Sequence, residues 1–221
     1  MSPRAGQRDG VWGIGQFYFK YIGCATPPSN LLEWMTIPDA NLATVTNGKI
    51  FADPVGEFTS IREALLAFYP EDVRRKKIAA QCANAAQSGQ YNFPRCIKRM
   101  EPVAAAIAES KFIEAACSLV FLLNRRYTPF YKWTYNILRS LPILGTDIYT
   151  SLSELVSDGR EKTSEIEKQY EIIENICTMI IPELVRQGLS DEKSDFLLDH
   201  GYAIQTKILD TTLKNMNIFI Y

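Results

Sequence analysis

Two short segments hold residues whose types and spacing could do chemistry. In the first, GQYNFPRCIKRME at residues 89–101, Arg95, Lys98 and Arg99 are spaced to share one face of a helix. That helix is predicted to start at Pro94, and guanidinium groups beside the free N–H groups of a helix start suit a phosphate or a carboxylate. The alternative is a solvated charged face after a Gly-Pro turn, because charge runs are common on protein surfaces.

The second segment, LLNRRYTPFYKW at residues 122–133, is predicted to be a corner between two helices. Asn124 follows Val120 by four residues and continues a buried apolar stripe, so its amide requires a hydrogen-bond partner. The aromatic residues could stack on a base or fill the end of a helical bundle, which is the commoner role. Lys132 could contact a phosphate or extend its ammonium into solvent.

Together the two segments supply a set of candidate substrate- or nucleotide-binding residues. The candidates are Tyr91, Asn92, Arg95, Arg99, Asn124, Tyr127, Tyr131 and Lys132. No catalytic residue and no metal ligand is assigned.

The composition excludes several functional classes. The 221 residues contain 24 Lys plus Arg and 25 Asp plus Glu, so a net charge of −1 provides no global field for nucleic acid or an anionic membrane. The longest apolar run, AACSLVFLL, is far shorter than the ~20 residues that span a bilayer. Five cysteines without a C-x-x-C pair, and a single histidine, predict buried free thiols, a cytoplasmic location and no zinc site.

The hydrophobic pattern predicts a mainly α fold, a bundle of about six to seven helices with a small N-terminal β-hairpin. The hairpin is expected in LATVTNGKIFAD, residues 42–53, because Asn47-Gly48 tolerates positive φ at both turn positions. Residues 1–57 are predicted to hold a helix and this hairpin, and residues 58–221 a helical bundle domain.

Capping and turn residues set the expected helix boundaries. Ser60 and Glu63 form an S-x-x-E capping box before an apolar run. Gly89 is expected to end one helix and Pro94 to start the next. Thr128 is expected to cap a further helix that has a proline in its first turn.

Several segments resemble an uncharacterised bacterial helical domain. They are WMTIP at 34–38, TNGKIFADPVG at 46–56, YPEDV at 69–73, SGQYNFPR at 88–95 and FLLNRRYTPFYKW at 121–133, together with Arg99. In that family the domain lies C-terminal to a minimal nucleotidyltransferase domain related to aminoglycoside nucleotidyltransferases. The resemblance covers about residues 8–210, and the QYN and LLNRRYTPFYKW parts are its most specific motifs.

The resemblance implies that residues 11–53 are the tail of a nucleotidyltransferase domain and that the later helices close over the nucleotide and the acceptor. The cations of the candidate set would then meet phosphate or an anionic acceptor. Its tyrosines and asparagines would shape the cavity. The expected partners are a nucleotide, a small-molecule or protein acceptor, and a missing nucleotidyltransferase half or a second copy of the chain.

The catalytic front half expected of that family is missing from this sequence. Such enzymes hold Mg²⁺ on the triphosphate with a Gly-Ser turn and a D-x-D pair of carboxylates, and neither pattern occurs here. The chain is therefore expected to be inactive alone, as a truncated product, a misassigned start or part of a split protein. No cofactor is expected in this chain, and Mg²⁺ with a nucleoside triphosphate is expected only if a front half is supplied. A non-enzymatic binding or dimerisation module and a remnant without function are the competing hypotheses.

Overall fold

The computed structural model describes residues 10–157 and 163–221, and these residues form helices and loops without a strand. The mainly α prediction is therefore confirmed, although the helices are more numerous than predicted. The chain divides into two compact units, Met1–Phe68 and Tyr69–Tyr221, whereas the predicted boundary lies at residue 57. No helix in the described ranges combines the length and the apolar character needed to cross a bilayer.

The described part of the first unit, residues 10–68, contains four short helices. They are α1 (Ile14–Ile22), α2 (Leu31–Thr36), α3 (Asp39–Thr46) and α4 (Glu57–Leu66). Tyr18 of α1, Leu42 of α3 and Leu65 of α4 are completely buried and form the centre of this unit. The Tyr18 hydroxyl donates a hydrogen bond to the backbone oxygen of Phe58 at 3.3 Å.

The predicted β-hairpin is wrong, because its first half is helical. Leu42, Val45 and Thr46 are the buried residues of α3, which is the i, i+3, i+4 spacing of a helix face. Gly48 has φ +73°, but Asn47 has φ −77°, so the pair does not form the turn that needs positive φ at both positions. Residues 47–56 form a loop, and Arg62 donates to the backbone oxygens of Thr46 and Gly48 at 2.7 and 2.8 Å.

The predicted capping box is also wrong. α4 starts at Glu57, before Ser60, and the residue that precedes it is Gly56 with φ +77°. The left-handed conformation at this position favours glycine. Gly56 therefore ends the loop, and α4 begins three residues before Ser60, the residue that was expected to cap it.

The second unit is a larger helical assembly. Its elements are α5 (Glu71–Ala85), a π-helical segment (Ala86–Asn92), α6 (Phe93–Lys98), α7 (Pro102–Leu123), α8 (Tyr131–Leu138), α9 (Gly145–Ser157), α10 (Thr163–Arg186), α11 (Leu197–Thr206) and α12 (Thr211–Asn215). α5 packs against both α7 and α11 and is the central helix. α11 approaches it so closely that a Cβ at Gly201 would lie 2.9 Å from the backbone oxygen of Ala79.

The central helix also carries buried cations that bind other elements. The guanidinium of Arg74 donates to the Leu122 backbone oxygen at 3.1 Å, to Glu71 at 3.0 Å and to the Gln187 side chain. These contacts join the start of α5 to the ends of α7 and α10. Because the Arg74 side chain is almost fully buried, its guanidinium N–H groups need hydrogen-bond partners inside the protein, and these contacts provide them.

Gly89 does not end a helix, contrary to prediction. The chain continues from α5 through the π-helical segment into α6. A Cβ at Gly89 would lie 2.3 Å from the Phe112 ring and 2.9 Å from Ile173, so glycine is required here for close packing of α7 and α10. Gln90 joins the same segment to the neighbouring helices through Glu174 at 2.8 Å and the Leu197 N–H at 2.9 Å.

Asn124 is a structural residue of the corner after α7. Its amide nitrogen donates to the backbone oxygens of Val120 at 2.7 Å and Ile143 at 2.8 Å. Its side-chain oxygen accepts from the Ile143 N–H at 2.9 Å. The half-buried amide therefore finds the partner that the sequence required, in the loop that leads into α9.

Replacing Asn124 by alanine should lower the free energy of unfolding by about 1.5 kcal/mol, because the backbone groups of the loop lose their partner. Chemical denaturation followed by circular dichroism measures this loss. Asn136→Ala, the same change at an exposed position of α8, is the control and should stay within about 0.5 kcal/mol of the unmodified chain. Equal losses in the two variants would contradict the role of Asn124.

Candidate functional site

The second unit contains a cavity of about 780 Å³. Its walls come from α5, the π-helical segment, α7, the loop before α8, α8, the end of α9, and Phe219 and Tyr221. The polar lining residues are Gln81, Asn84, Gln87, Ser88, Asn92, Glu109, Ser110, Lys111, Glu114, Ser118, Thr128 and Thr134. A concave site of this volume that combines amides, hydroxyls and aromatic rings suits a small molecule.

Two facing helices provide the largest part of the wall. Most of the lining residues of α7 recur with helical spacing, at positions 106, 109, 110, 113, 114, 117 and 118, and Lys111 and Ala115 lie beside them. Gln81, Asn84 and Ser88 recur in the same way along α5 and its π-helical continuation. Both helices are otherwise rich in buried alanine and aliphatic residues, and Ser110, Lys111 and Glu114 of α7 are exposed, so the polar faces border a cleft that is open to solvent.

Thr128 contributes an unusual polar group to the cavity. Its Oγ1 atom is buried, and no hydrogen-bond partner for it lies among the described residues. Thr128 does not cap α8, contrary to prediction, because that helix starts three residues later at Tyr131. A buried hydroxyl without a partner costs about 1–3 kcal/mol, and a bound molecule in the cavity would remove this cost.

The charged residues of the described lining are two glutamates and one lysine. Glu109 is only 3 % exposed, and the exposed Glu114 lies five residues further along α7. Lys111 is the only cationic side chain among the described lining residues. Burial, and secondarily the Glu114 carboxylate, raises the pKa of Cys117 to about 12.

Aromatic rings lie at the opposite wall. Tyr131 and Tyr135 come from α8, and Phe219 and Tyr221 from the end of the described chain. The Tyr135 ring stacks on Tyr149 of α9 with 4.2 Å between centroids, which holds it in place. A flat ligand, or the apolar face of a sugar-like ligand, could pack on these rings.

The cavity brings together part of the predicted set. Asn92 and Tyr131 both line it, although 38 residues separate them in the sequence. Tyr127 is buried and packs edge-on against Tyr69 at 5.0 Å between ring centroids. Asn124 is engaged by the loop before α9.

The predicted cations lie outside the described lining. Arg95 is exposed on α6, where its guanidinium donates to the Tyr91 hydroxyl at 2.6 Å and covers the Tyr91 ring at 4.6 Å from its centroid. Arg99 is exposed just after α6. Lys132 is exposed on α8, with its ammonium 5.8 Å from the centroid of the Phe130 ring.

Sequence reasoning missed most of the lining. A usable signal was present in α7, where Glu109, Ser110, Glu114 and Ser118 interrupt an alanine-rich helix on one face. Phe219 and Tyr221 carried no such signal, because only the path of the chain after α12 places them at the cavity. Among the described residues no group of three or more His, Cys, Asp or Glu side chains is placed to hold a metal ion.

Comparison with known proteins identifies one similar family. Residues 34–134, a little under half of the chain, match a family described as Domain of unknown function (DUF4037). The matched range contains the lining residues of α5, the π-helical segment and α7, but not Tyr135, Val156, Phe219 or Tyr221. No curated protein and no solved structure matches the chain.

Proposed function

We propose that residues 69–221 form the acceptor-binding helical part of a nucleotidyltransferase-like protein, and that the Mg²⁺–nucleotide chemistry is supplied by a different polypeptide segment. The observation that supports this proposal is a convergence of two motifs. The QYN motif supplies Asn92, and the LLNRRYTPFYKW motif supplies Thr128 and Tyr131, to the wall of one cavity.

The charge of the cavity favours the acceptor over the nucleotide. The described lining holds two glutamates, Glu109 and Glu114, and one lysine, so a triphosphate inside the cavity would meet no excess of positive charge. Desolvating several negative charges next to these carboxylates would be unfavourable, whereas a neutral polar or amine-bearing molecule would be accepted. In this proposal the phosphates remain outside, where the exposed Arg95, Arg99 and Lys132 are available to them.

Three sugars that share one ring type and differ in net charge test the proposal: cationic glucosamine, neutral glucose and anionic glucuronate. Glucosamine and glucose should bind weakly, with dissociation constants in the millimolar range, and glucuronate should bind at least about fivefold more weakly than glucosamine. Asn92→Ala and Tyr131→Ala should weaken the binding of all probes, because both residues line the cavity. Saturation-transfer NMR and calorimetry measure these affinities.

Matched controls separate the cavity from the surface. Glu114→Gln should reduce the preference for glucosamine over glucose by about fivefold, while Glu154→Gln, at an exposed position of α9, should leave it unchanged. Tyr202→Ala, an exposed tyrosine of α11, is the control for Tyr131→Ala. Preferred binding of glucuronate, or robust Mg²⁺-dependent nucleotidyl transfer to glucosamine by this chain alone, would overturn the proposal.

A non-enzymatic dimerisation or binding module is the second candidate. α8 exposes Tyr131, Trp133 and Ile137, an apolar surface of the kind that marks interaction sites. A concentration-dependent dimer that Trp133→Ala abolishes, in a chain that binds none of the probes, would favour this candidate.

A further inference from the structure

The segment that follows α12, residues 216–221, returns to the central helix and reaches the cavity. We call these residues the strap. Phe219 and Tyr221 of the strap line the cavity, whereas Ile220 between them is not part of the described lining. Phe219 and Tyr221 keep 41 % and 46 % of their surface exposed, so they are not core residues of the unit.

The base of the strap is held by a buried ammonium group. Lys76 of α5 is 0 % exposed, and its Nζ donates to the Asn217 backbone oxygen at 2.8 Å. The backbone oxygens of Met216 and Ile218 lie 3.5 and 3.4 Å from the same Nζ. Three consecutive strap carbonyls therefore converge on one lysine, which fixes the backbone where it leaves α12.

A glutamine of α11 provides the second attachment. The Gln205 amide nitrogen donates to the backbone oxygens of Lys214 and Met216, both at 2.9 Å. Its side-chain oxygen accepts from the Lys76 ammonium at 3.1 Å. Lys76 and Gln205 thus form one network under the base of the strap, and every polar group of this network is used.

The tip of the strap is attached in a different way. The ammonium of Lys77 lies 5.6 Å from the centroid of the Tyr221 ring, and the Phe219 and Ile220 N–H groups bond only to Asn217 within the strap itself. Lys77 itself is only 3 % exposed, and a desolvated cation–π contact contributes about 2 kcal/mol. The half-exposed Phe219 and Tyr221 side chains are therefore the part of the strap that could turn away from the cavity while the base stays in place.

We propose that the strap is the closing wall of the cavity, that Phe219 and Tyr221 contact the molecule bound there, and that Lys76 and Gln205 are positioning residues that hold the strap. This inference rests on the proposed function only in treating the cavity as the binding site. It places two specificity-determining side chains outside the range that matches the known family.

The first test needs no ligand, because a cysteine already reports on the cavity. Cys117 lines the cavity and is 4 % exposed, whereas the buried Cys82 is not part of the described lining. In Phe219→Ala/Tyr221→Ala, N-ethylmaleimide should modify Cys117 at least about fivefold faster than in the unmodified chain, with Cys82 unchanged. Peptide mass spectrometry measures both rates in one sample, and Ile220→Ala is the control within the strap.

Each outcome of this test decides the proposal. Lys76→Met should accelerate labelling of Cys117 in the same way. If Lys76→Met does not fold, Phe219→Ala/Tyr221→Ala still tests the proposal, because the half-exposed Phe219 and Tyr221 side chains are not needed for the core. An unchanged rate at Cys117, or equal acceleration at Cys117 and Cys82, would overturn the strap as a closing wall.

The second test uses glucosamine as the probe. Its affinity should fall about fivefold or more in Phe219→Ala/Tyr221→Ala and stay unchanged in Ile220→Ala. Equal affinity in the double variant and the unmodified chain would overturn the ligand contacts of the strap. Absence of glucosamine binding to the unmodified chain would count against the proposed function, while the labelling rates would still decide whether the strap closes the cavity.

Discussion

Replacing Gly89 by alanine should lower the free energy of unfolding by about 3 kcal/mol, in spite of the better helix propensity of alanine. The added Cβ would lie 2.3 Å from Cδ2 of Phe112 and 2.9 Å from Ile173, both of which are completely buried. Alanine gains at most about 1 kcal/mol over glycine inside a helix, which is less than the cost of overpacking a core. The steric cost therefore exceeds the gain in helix propensity, and the free energy of unfolding of Gly89→Ala falls.

Chemical denaturation of Gly89→Ala measures this loss, with Gly10→Ala as the matched control. A Cβ at Gly10 meets no atom within 4 Å, so the control should stay within about 0.5 kcal/mol of the unmodified chain. Adding Phe112→Leu to Gly89→Ala should recover part of the lost stability, because the smaller side chain makes room for the new methyl group. A stabilised Gly89→Ala would show that this approach of α7 to the π-helical segment is not tight.

The stability contributed by Lys76 should rise as the pH is raised from about 8 to about 10.5. Burial lowers the pKa of Lys76 from 10.5 to about 8. Between these values the unfolded chain holds a proton that the folded chain has released, so the folded state gains free energy with increasing pH. The gain between about pH 7 and about pH 10 should be about 2–3 kcal/mol.

The effect is isolated by comparing the chain with Lys76→Met at each pH, because raised pKa values of buried tyrosines such as Tyr18 act in the opposite direction. The difference in unfolding free energy between the two proteins should change by this amount, in favour of the lysine as the pH rises. Lys98→Met, an exposed lysine of α6, is the control and should show no such trend. A difference that is independent of pH would mean that the Lys76 ammonium is not desolvated in the fold.

The helical class and several element boundaries follow from local sequence alone. Pro70 lies immediately before α5 and Pro102 is the first residue of α7, which agrees with the tolerance of proline at helix starts. The Asn124 amide lies on a helix face whose other residues are apolar, and its need for a partner was evident without knowing which loop would supply one. These features depend on residues within about one helix turn of each other.

The errors have a different origin, since they concern residues whose conformation depends on distant parts of the chain. Asn47-Gly48 has the local preference for a hairpin turn, but Leu42 and Val45 are buried together in the first unit, and this packing makes the preceding segment helical. Gly89 has the local preference of a helix end, but Phe112 and Ile173 occupy the space beside it and the helix continues as a π-helical segment. In both cases tertiary burial outweighs a turn preference of about 1 kcal/mol.

The sequence by itself determined that this protein is mainly helical and that the Asn124 amide needs a hydrogen-bond partner. It also showed that Asn92 and Tyr131 belong to the two segments whose residue types could do chemistry. Only the tertiary structure decided that these two residues share a cavity, that Glu109 and Glu114 line it, and that Phe219 and Tyr221 lie at its edge. The reason is physical: periodicity specifies which face of a helix is buried, but not which other face it meets. Close approaches at Gly89 and Gly201, and the carbonyls gathered around Lys76, set those pairings here.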